Sequence, residues 1–365
     1  MFLIDHLKRF DWILLISIFL IVGIGLMSIY SSSRGGILGF QKQIIFLIVG
    51  FIVMVGISFW DYRNFKNNPY LVLGLYVLAI LGLVGLFFFG DLIRGVKSWY
   101  RIGPVSISPV EFTKIILLIL LAKYFSVRHV EMYKFRHIIV SGLYVALPFV
   151  LVYMQPDLGS ALILILLWIG VLLLSGIKIK HFLILILCAI ILFVFAWNFF
   201  LKDYQKERIL SFMVPAYDPL EIGWSQNQAK IALGNGGFLG RGMRNGSQTQ
   251  LKFLPEPQTD FIFAAIGEEF GFVTIGLMLS LFSIAAYRIT RLARQAIDNF
   301  SRIFILGLGI ILLSQLFINI GTNIGYLPVI GIPLPLVSYG GSSLISFFIG
   351  LGILQNIKTN QRELS

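Results

Sequence analysis

A chain of 365 residues in which 58% are hydrophobic and only 13% are charged is not a water-soluble enzyme. Its formal net charge of +12 invites a nucleic-acid reading, but Lys and Arg cluster at the ends of apolar runs, as membrane-topology signals do, so no nucleic-acid partner is expected. The single cysteine, Cys188, rules out an internal disulfide, and the four histidines show no metal-ligand spacing.

Apolar runs long enough to cross a bilayer as helices recur along the whole chain, without the alternation of a membrane barrel. The expected fold is an all-α polytopic membrane protein, a single domain over 1–365. Ten transmembrane helices are expected near 12–30, 42–60, 70–90, 110–125, 138–154, 158–175, 181–200, 261–287, 302–320 and 339–355. The first run follows Lys8 and Arg9, lacks a cleavage signature, and reads as a retained span. Loops on the N-terminal side carry Arg63 and Lys66, then Arg128, Lys134 and Arg136, then Lys178 and Lys180, then Arg288, Arg291 and Arg294. The opposite short loops carry Arg34 and Lys42, then Arg94, Lys97 and Arg101. This bias puts both termini in the cytoplasm, and a large extracytoplasmic loop, about 201–260, before the eighth helix.

The polar chemistry concentrates on the outer face. In "SWYRIGPVSISPVEFTKI", Gly103, Pro104 and Pro109 disfavour helix before about residue 109. Glu111 and Lys114 then stand at i, i+3 on the first turn of a span, where they can neutralise each other as an orienting ion pair or form a charged wall of a site. In "YMQPDLGSALI", Asp157 is either a helix cap or a chemical group, and capping does not explain Gln155.

The segment 227–261 combines Lys230, Arg241, Arg244 and Lys252 with many glycines, a pattern suited to a diphosphate or to a basic loop near anionic lipid. It ends in "FLPEPQTDFIF". Here Asp260 stands at a helix start, with Glu256 four residues before it and Pro257 between them. A carboxylate there is a helix cap or a base at the membrane surface, and Thr259 offers an alternative cap. Glu268 and Glu269 lie deeper and read as buried partners for neighbouring helices. In "GIPLPLVSYGGSSLI", Gly340, Gly341, Ser342 and Ser343 open the last span as an anion site or as a small-residue helix contact.

"WYRIGPVSISPVEFTK", "QPDLGSA", "NGGFLGRG", "FLPEPQTDFIFAAIGEEFG" and "LPVIGIPLPLVSYGGSS" together resemble, in order, the signature segments of the SEDS proteins (shape, elongation, division and sporulation). The resemblance spans essentially the whole chain and leans toward the elongation-type member. It implies a peptidoglycan glycosyltransferase that joins lipid II, an undecaprenyl-diphosphate-linked disaccharide, into β-1,4 glycan outside the cytoplasmic membrane, for cell elongation and rod shape. The essential aspartate of the family matches Asp260, its membrane ion pair matches Glu111 and Lys114, and the aspartate of its Q-P-D motif matches Asp157. A class B penicillin-binding protein and other elongation-complex membrane proteins are the implied partners. A divalent cation, Mg or Mn, is the implied cofactor, with no organic cofactor. Ser108 departs from the glutamine that many members carry.

On this reading Asp260 takes the acceptor hydroxyl proton, with Glu256 in support. Arg101, Lys114, Arg241 and the Gly340–Ser343 turn receive the departing diphosphate. One base and direct displacement would invert the donor sugar. The rival is a lipid II flippase, kept open by Glu268 and Glu269, and a third reading is a scaffold that activates a partner synthase.

Overall fold

A computed structural model describes residues 6–33, 37–93, 96–103, 105–128, 135–199, 206 and 222–361. Pro104, Arg34, Arg94 and Lys134, used above, lie outside the described residues, as does most of 200–221.

Long helices stand at each place the hydropathy marks. They are α1 (Trp12–Ser32), α2 (Leu38–Ser58), α4 (Pro69–Phe89), α5 (Pro109–Arg128), α6 (Phe135–Met154), α7 (Leu158–Leu174) and α8 (Ile179–Phe199), then α11 (Ile262–Arg294), α12 (Asn299–Ile324) and α13 (Gly341–Gln361). A short α3 (Arg63–Asn67) links α2 to α4. Among the described residues six helices, α1, α2, α4, α6, α11 and α12, are long and apolar enough by length and composition to cross a membrane. The chain is a multi-pass membrane protein.

Local chemistry sets the helix ends. Asn68 caps α4 by accepting from the Tyr70 and Leu71 N–H groups, and Pro69 fills the first turn, where a missing N–H costs nothing. Asp298 caps α12 through Ser301, and Gly325 closes it with φ 87°. The core runs between α1, α5, α11, α12 and α13, around Leu14, Ile18, Phe125, Phe282, Phe304 and Phe348. The outward faces carry exposed apolar residues such as Ile52 on α2, Leu78 on α4 and Leu187 on α8, as lipid contact requires.

The two ends of the chain meet. Asp11, fully buried and capping α1, pairs with Arg288 of α11 and, at 3.5 Å, with Lys358 of α13. The Asp11 N–H also donates to Gln355 Oε1 at 2.9 Å. This places the start of the first span and the end of the last on one side.

Two features depart from a purely helical bundle with a long outer loop. First, residues 91–107 form a small antiparallel sheet, β1 (Asp91–Ile93), β2 (Val96–Ile102) and β3 (Val105–Ile107), with Tyr100 opposite Ile107. Tyr100 anchors it by donating its hydroxyl to Gly82 O at 2.7 Å. Second, the expected 201–260 loop contains α9 (Ile222–Gly236) and a short α10 (Ser247–Gln250). Helix α9 packs along α11, burying Ala229, Ala232 and most of Leu233. Three apolar residues on one face of a polar helix were too few to register as a periodic run.

Candidate active site at the start of the long helix

The loop before α11 is held from three directions. The Thr259 and Phe261 N–H groups turn back onto Glu256 O at 3.2 and 3.3 Å. Tyr339 N–H donates to Gln258 O at 2.8 Å, and Ser338 Oγ donates to Thr259 O at 2.6 Å. Gln258 Nε2 reaches Ser33 Oγ, just past the end of α1, at 3.2 Å.

Asp260 completes the loop. Phe261 occupies the N-cap position of α11, and its own side chain makes no capping hydrogen bond. The main chain of Asp260 is fixed. Its carbonyl accepts from Asn319 Nδ2 at 2.9 Å and from Asn323 Nδ2 at 3.0 Å. Asn323 Oδ1 accepts from Ala264 N–H at 3.1 Å, so one buried amide spans the first turn of α11. The carboxylate lies beside Gly331, where an added Cβ would stand 3.7 Å from Asp260 Oδ2. A cleft of about 470 Å³ opens against this loop, bordered by Ser32, Lys252, Glu256, Gln258, Thr259 and Tyr339. Burial pushes the Tyr339 phenol pKa up. A second cleft, about 520 Å³ between Lys66 and Asp298, lies at the far end of α12.

The Glu111–Lys114 pair forms as expected, at 2.7 Å, with Lys114 buried and Glu111 half-buried. Ser342 joins this pair's surroundings to the last helix. Ser108 N–H donates to Ser342 Oγ at 2.9 Å, and Ser342 Oγ donates to Ser106 O at 3.5 Å. The 338–342 turn therefore touches the Asp260 loop on one side and the start of α5 on the other. Gln43, buried within α2, locks the turn by accepting from Gly340 N–H at 3.2 Å and donating to Ser338 O at 3.3 Å.

Several expected site residues have protein partners. In the Gly340–Ser343 turn, Gln43 takes the Gly340 N–H and the 106–108 backbone meets the Ser342 hydroxyl, while Gly341 packs against Phe46. Asp157 is a cap: Oδ1 accepts from Ser160 N–H at 3.0 Å and Oδ2 from Ser98 Oγ at 3.2 Å, tying α7 to β2. Gln155 ties the same corner to α4 through Leu83 O at 2.8 Å. Arg101 is exposed on β2. Arg241 is exposed too, its Nε bonded to Asn235 O at 2.7 Å.

Gly236, Gly240 and Gly246 allow close packing against α11. That helix breaks at Gly271, with φ 77° and ψ 178°. Residues 237–242 fill the break: Phe272 N–H donates to Gly237 O, Val273 N–H to Phe238 O, Arg241 N–H to Glu268 O and Gly242 N–H to Glu269 O, all at 2.9–3.1 Å. Glu268 is fully buried and accepts from the N–H groups of Gln248 and Thr249 and from the Thr249 hydroxyl at 2.7–2.9 Å, which anchors α10. Glu269 accepts from Gln250 Nε2 at 2.7 Å. Both glutamates are therefore partners of the outer segment that folds back on their own helix.

Sequence reasoning passed over Asn319, Asn323 and Gln43. Amides at i, i+4 in an apolar helix, and a lone glutamine in a span, are costly in lipid, and that cost was the available signal. Among the described residues no three of His, Cys, Asp and Glu cluster as metal ligands.

These features define a polytopic membrane protein with a buttressed carboxylate and a cleft at one membrane face. The chain belongs to the FtsW, RodA and SpoVE family of cell cycle proteins, whose family model matches residues 6–363. It is 36% identical over 338 residues to the peptidoglycan glycosyltransferase MrdB of Escherichia coli K12, covering 92% of this chain and 90% of that protein. It is 33% identical to the stage V sporulation protein E of Bacillus subtilis, covering 96% and 98%. Among solved structures it is similar to a chain described under the structural coordination of polymerization and crosslinking by a peptidoglycan synthase complex (TM-score 0.83, 29% identity, 96% and 98% covered). It is also similar to the rod shape determining protein RodA of Thermus thermophilus (TM-score 0.70, 26% identity, 96% and 97% covered).

Proposed function

We propose that this chain is a peptidoglycan glycosyltransferase that polymerises lipid II at the outer face of the cytoplasmic membrane, in cell elongation. The observation that carries the reading is the fixing of Asp260. Its main chain is clamped by Asn319 and Asn323, its carboxylate lies against Gly331, and the preceding Glu256, Gln258 and Thr259 line the cleft. The relatives named peptidoglycan glycosyltransferases support the reaction class.

In the proposed reaction the acceptor sugar's 4-hydroxyl attacks the donor's anomeric carbon. Its proton passes to Asp260 as the C–O bond to the lipid diphosphate breaks. A single displacement inverts that carbon, giving a β-linked glycan. Lys252, on the cleft wall, and the Lys114 side of the 338–342 turn are the cations best placed for the departing diphosphate. The proposed divalent cation would be shared with the diphosphate, where it would help neutralise the leaving group. A class B penicillin-binding protein is the proposed partner, and the similarity to a chain from a peptidoglycan synthase complex supports it. The flippase reading loses support because Glu268 and Glu269 bind the 247–250 segment instead of lining a path.

The test is glycan polymerisation from purified lipid II in detergent, with a partner that cannot polymerise. Polymer from the wild type and none from Asp260→Asn is expected. Equal polymer from both would remove Asp260 as the base. Polymer from neither would shift the reading to lipid translocation.

A further inference from the structure

Helix α11 changes surroundings at its break. From Phe261 to Glu269 every residue is buried. Beyond Gly271, Phe272, Val273, Leu277, Ile284 and Tyr287 are exposed along one stripe. Arg291 lies 19 residues past Phe272, a rise of about 28 Å, close to the hydrocarbon thickness of a bilayer. If cationic Arg291 marks one boundary of the hydrocarbon, Phe272 marks the other.

The 237–242 hook is locked at that second boundary by its four main-chain bonds to Glu268, Glu269, Phe272 and Val273. At its tip Phe238 and Leu239 are 82% and 81% exposed. Their backbone is pinned, so these side chains cannot withdraw into the protein. Arg241 and Arg244 follow directly and are exposed, Arg244 with its guanidinium 4.6 Å from the Tyr30 ring centroid. Two fixed apolar side chains, continuous with a lipid-facing stripe and followed by two arginines, match the acyl and phosphate layers of a membrane surface.

We infer that the hook is a membrane anchor. Phe238 and Leu239 enter the edge of the hydrocarbon on the Asp260 side of the bilayer, and Arg241 and Arg244 contact lipid phosphates. This ties the segment between α9 and α11 to the lipid surface. The inference concerns location alone and stands independently of the proposed reaction.

The test uses the full chain with Cys188→Ser, removing its exposed cysteine, in nanodiscs of phosphatidylethanolamine and phosphatidylglycerol. An environment-sensitive NBD label is placed at Phe238→Cys, and separately at Leu239→Cys in case one site disturbs the hook. Lys97→Cys, exposed on β2, is the aqueous reference. Both hook labels should emit to the blue of the reference. They should be quenched at least two-fold by lipids carrying a nitroxide near the glycerol, and less than the reference by aqueous iodide. Hook labels that match the reference in emission and iodide quenching would overturn the anchor. So would labels shielded only after the transpeptidase partner is added, which would make the hook a protein contact.

Discussion

Asn323 holds Asp260 by its carbonyl, at 3.0 Å, while the same side chain accepts the Ala264 N–H at 3.1 Å. A buried amide on one helix thus sets where another begins, and the carboxylate follows from that placement. Asn323→Ala leaves the Ala264 N–H without this acceptor, and unsatisfied buried groups cost about 1–3 kcal/mol each. The expected result is a lower melting temperature in detergent and a fall in the turnover of lipid II larger than the change in KM. A change confined to KM would count against a positioning role.

Asp260→Asn should behave differently. The substitution is isosteric and leaves the main-chain clamp in place, so it should lower stability far less than it lowers activity. Polymerisation should fall about 10²–10⁴-fold, the usual contribution of a general base. Thermal melts and polymerisation on the same preparations separate the two effects.

Glu268→Ala removes the acceptor that anchors α10. Hydrogen bonds to a charged group contribute about 1.5–3 kcal/mol each, so the 237–250 segment should loosen. Limited proteolysis should then cut within 237–250 faster than in the wild type. An unchanged digestion pattern would show that this carboxylate does not hold the segment.

Gly271 and Gly276 make a paired test on one helix. A Cβ at Gly271 would meet the Gly240 N–H and the Phe238 carbonyl, at a φ of 77°. A Cβ at Gly276 would meet nothing within 4 Å. Gly271→Ala should destabilise by several kcal/mol, whereas Gly276→Ala should be neutral or stabilise by about 1 kcal/mol. Melting curves of the two variants should move in opposite directions or differ sharply.

Glu111 and Lys114 form a buried pair, and removing one partner strands the other at a cost of about 3–5 kcal/mol. Glu111→Ala and Lys114→Ala should each lower the melting temperature. The double variant should lose less than the sum of the two, because no isolated charge remains. Additive losses would mean that the pair is not energetically coupled.

The sequence by itself determined the helices that length and apolarity dictate, the Glu111–Lys114 pair at i, i+3, and Asp260 at the start of a helix. Each is a local property: a run length, a spacing, a charge beside an apolar stretch. The tertiary structure decided what spacing cannot encode. Asn319 and Asn323 reach Asp260 across some sixty residues, Gln43 reaches Ser338 and Gly340 across nearly three hundred, and residues 237–242 fill a break in a helix that begins twenty residues later. Gly236, Gly240 and Gly246 pack against the long helix, and the last helix's small residues meet Gln43 and the 106–108 strand end. The physical reason is that a buried polar group must find a partner, but any partner within reach will do, and reach is set by the fold.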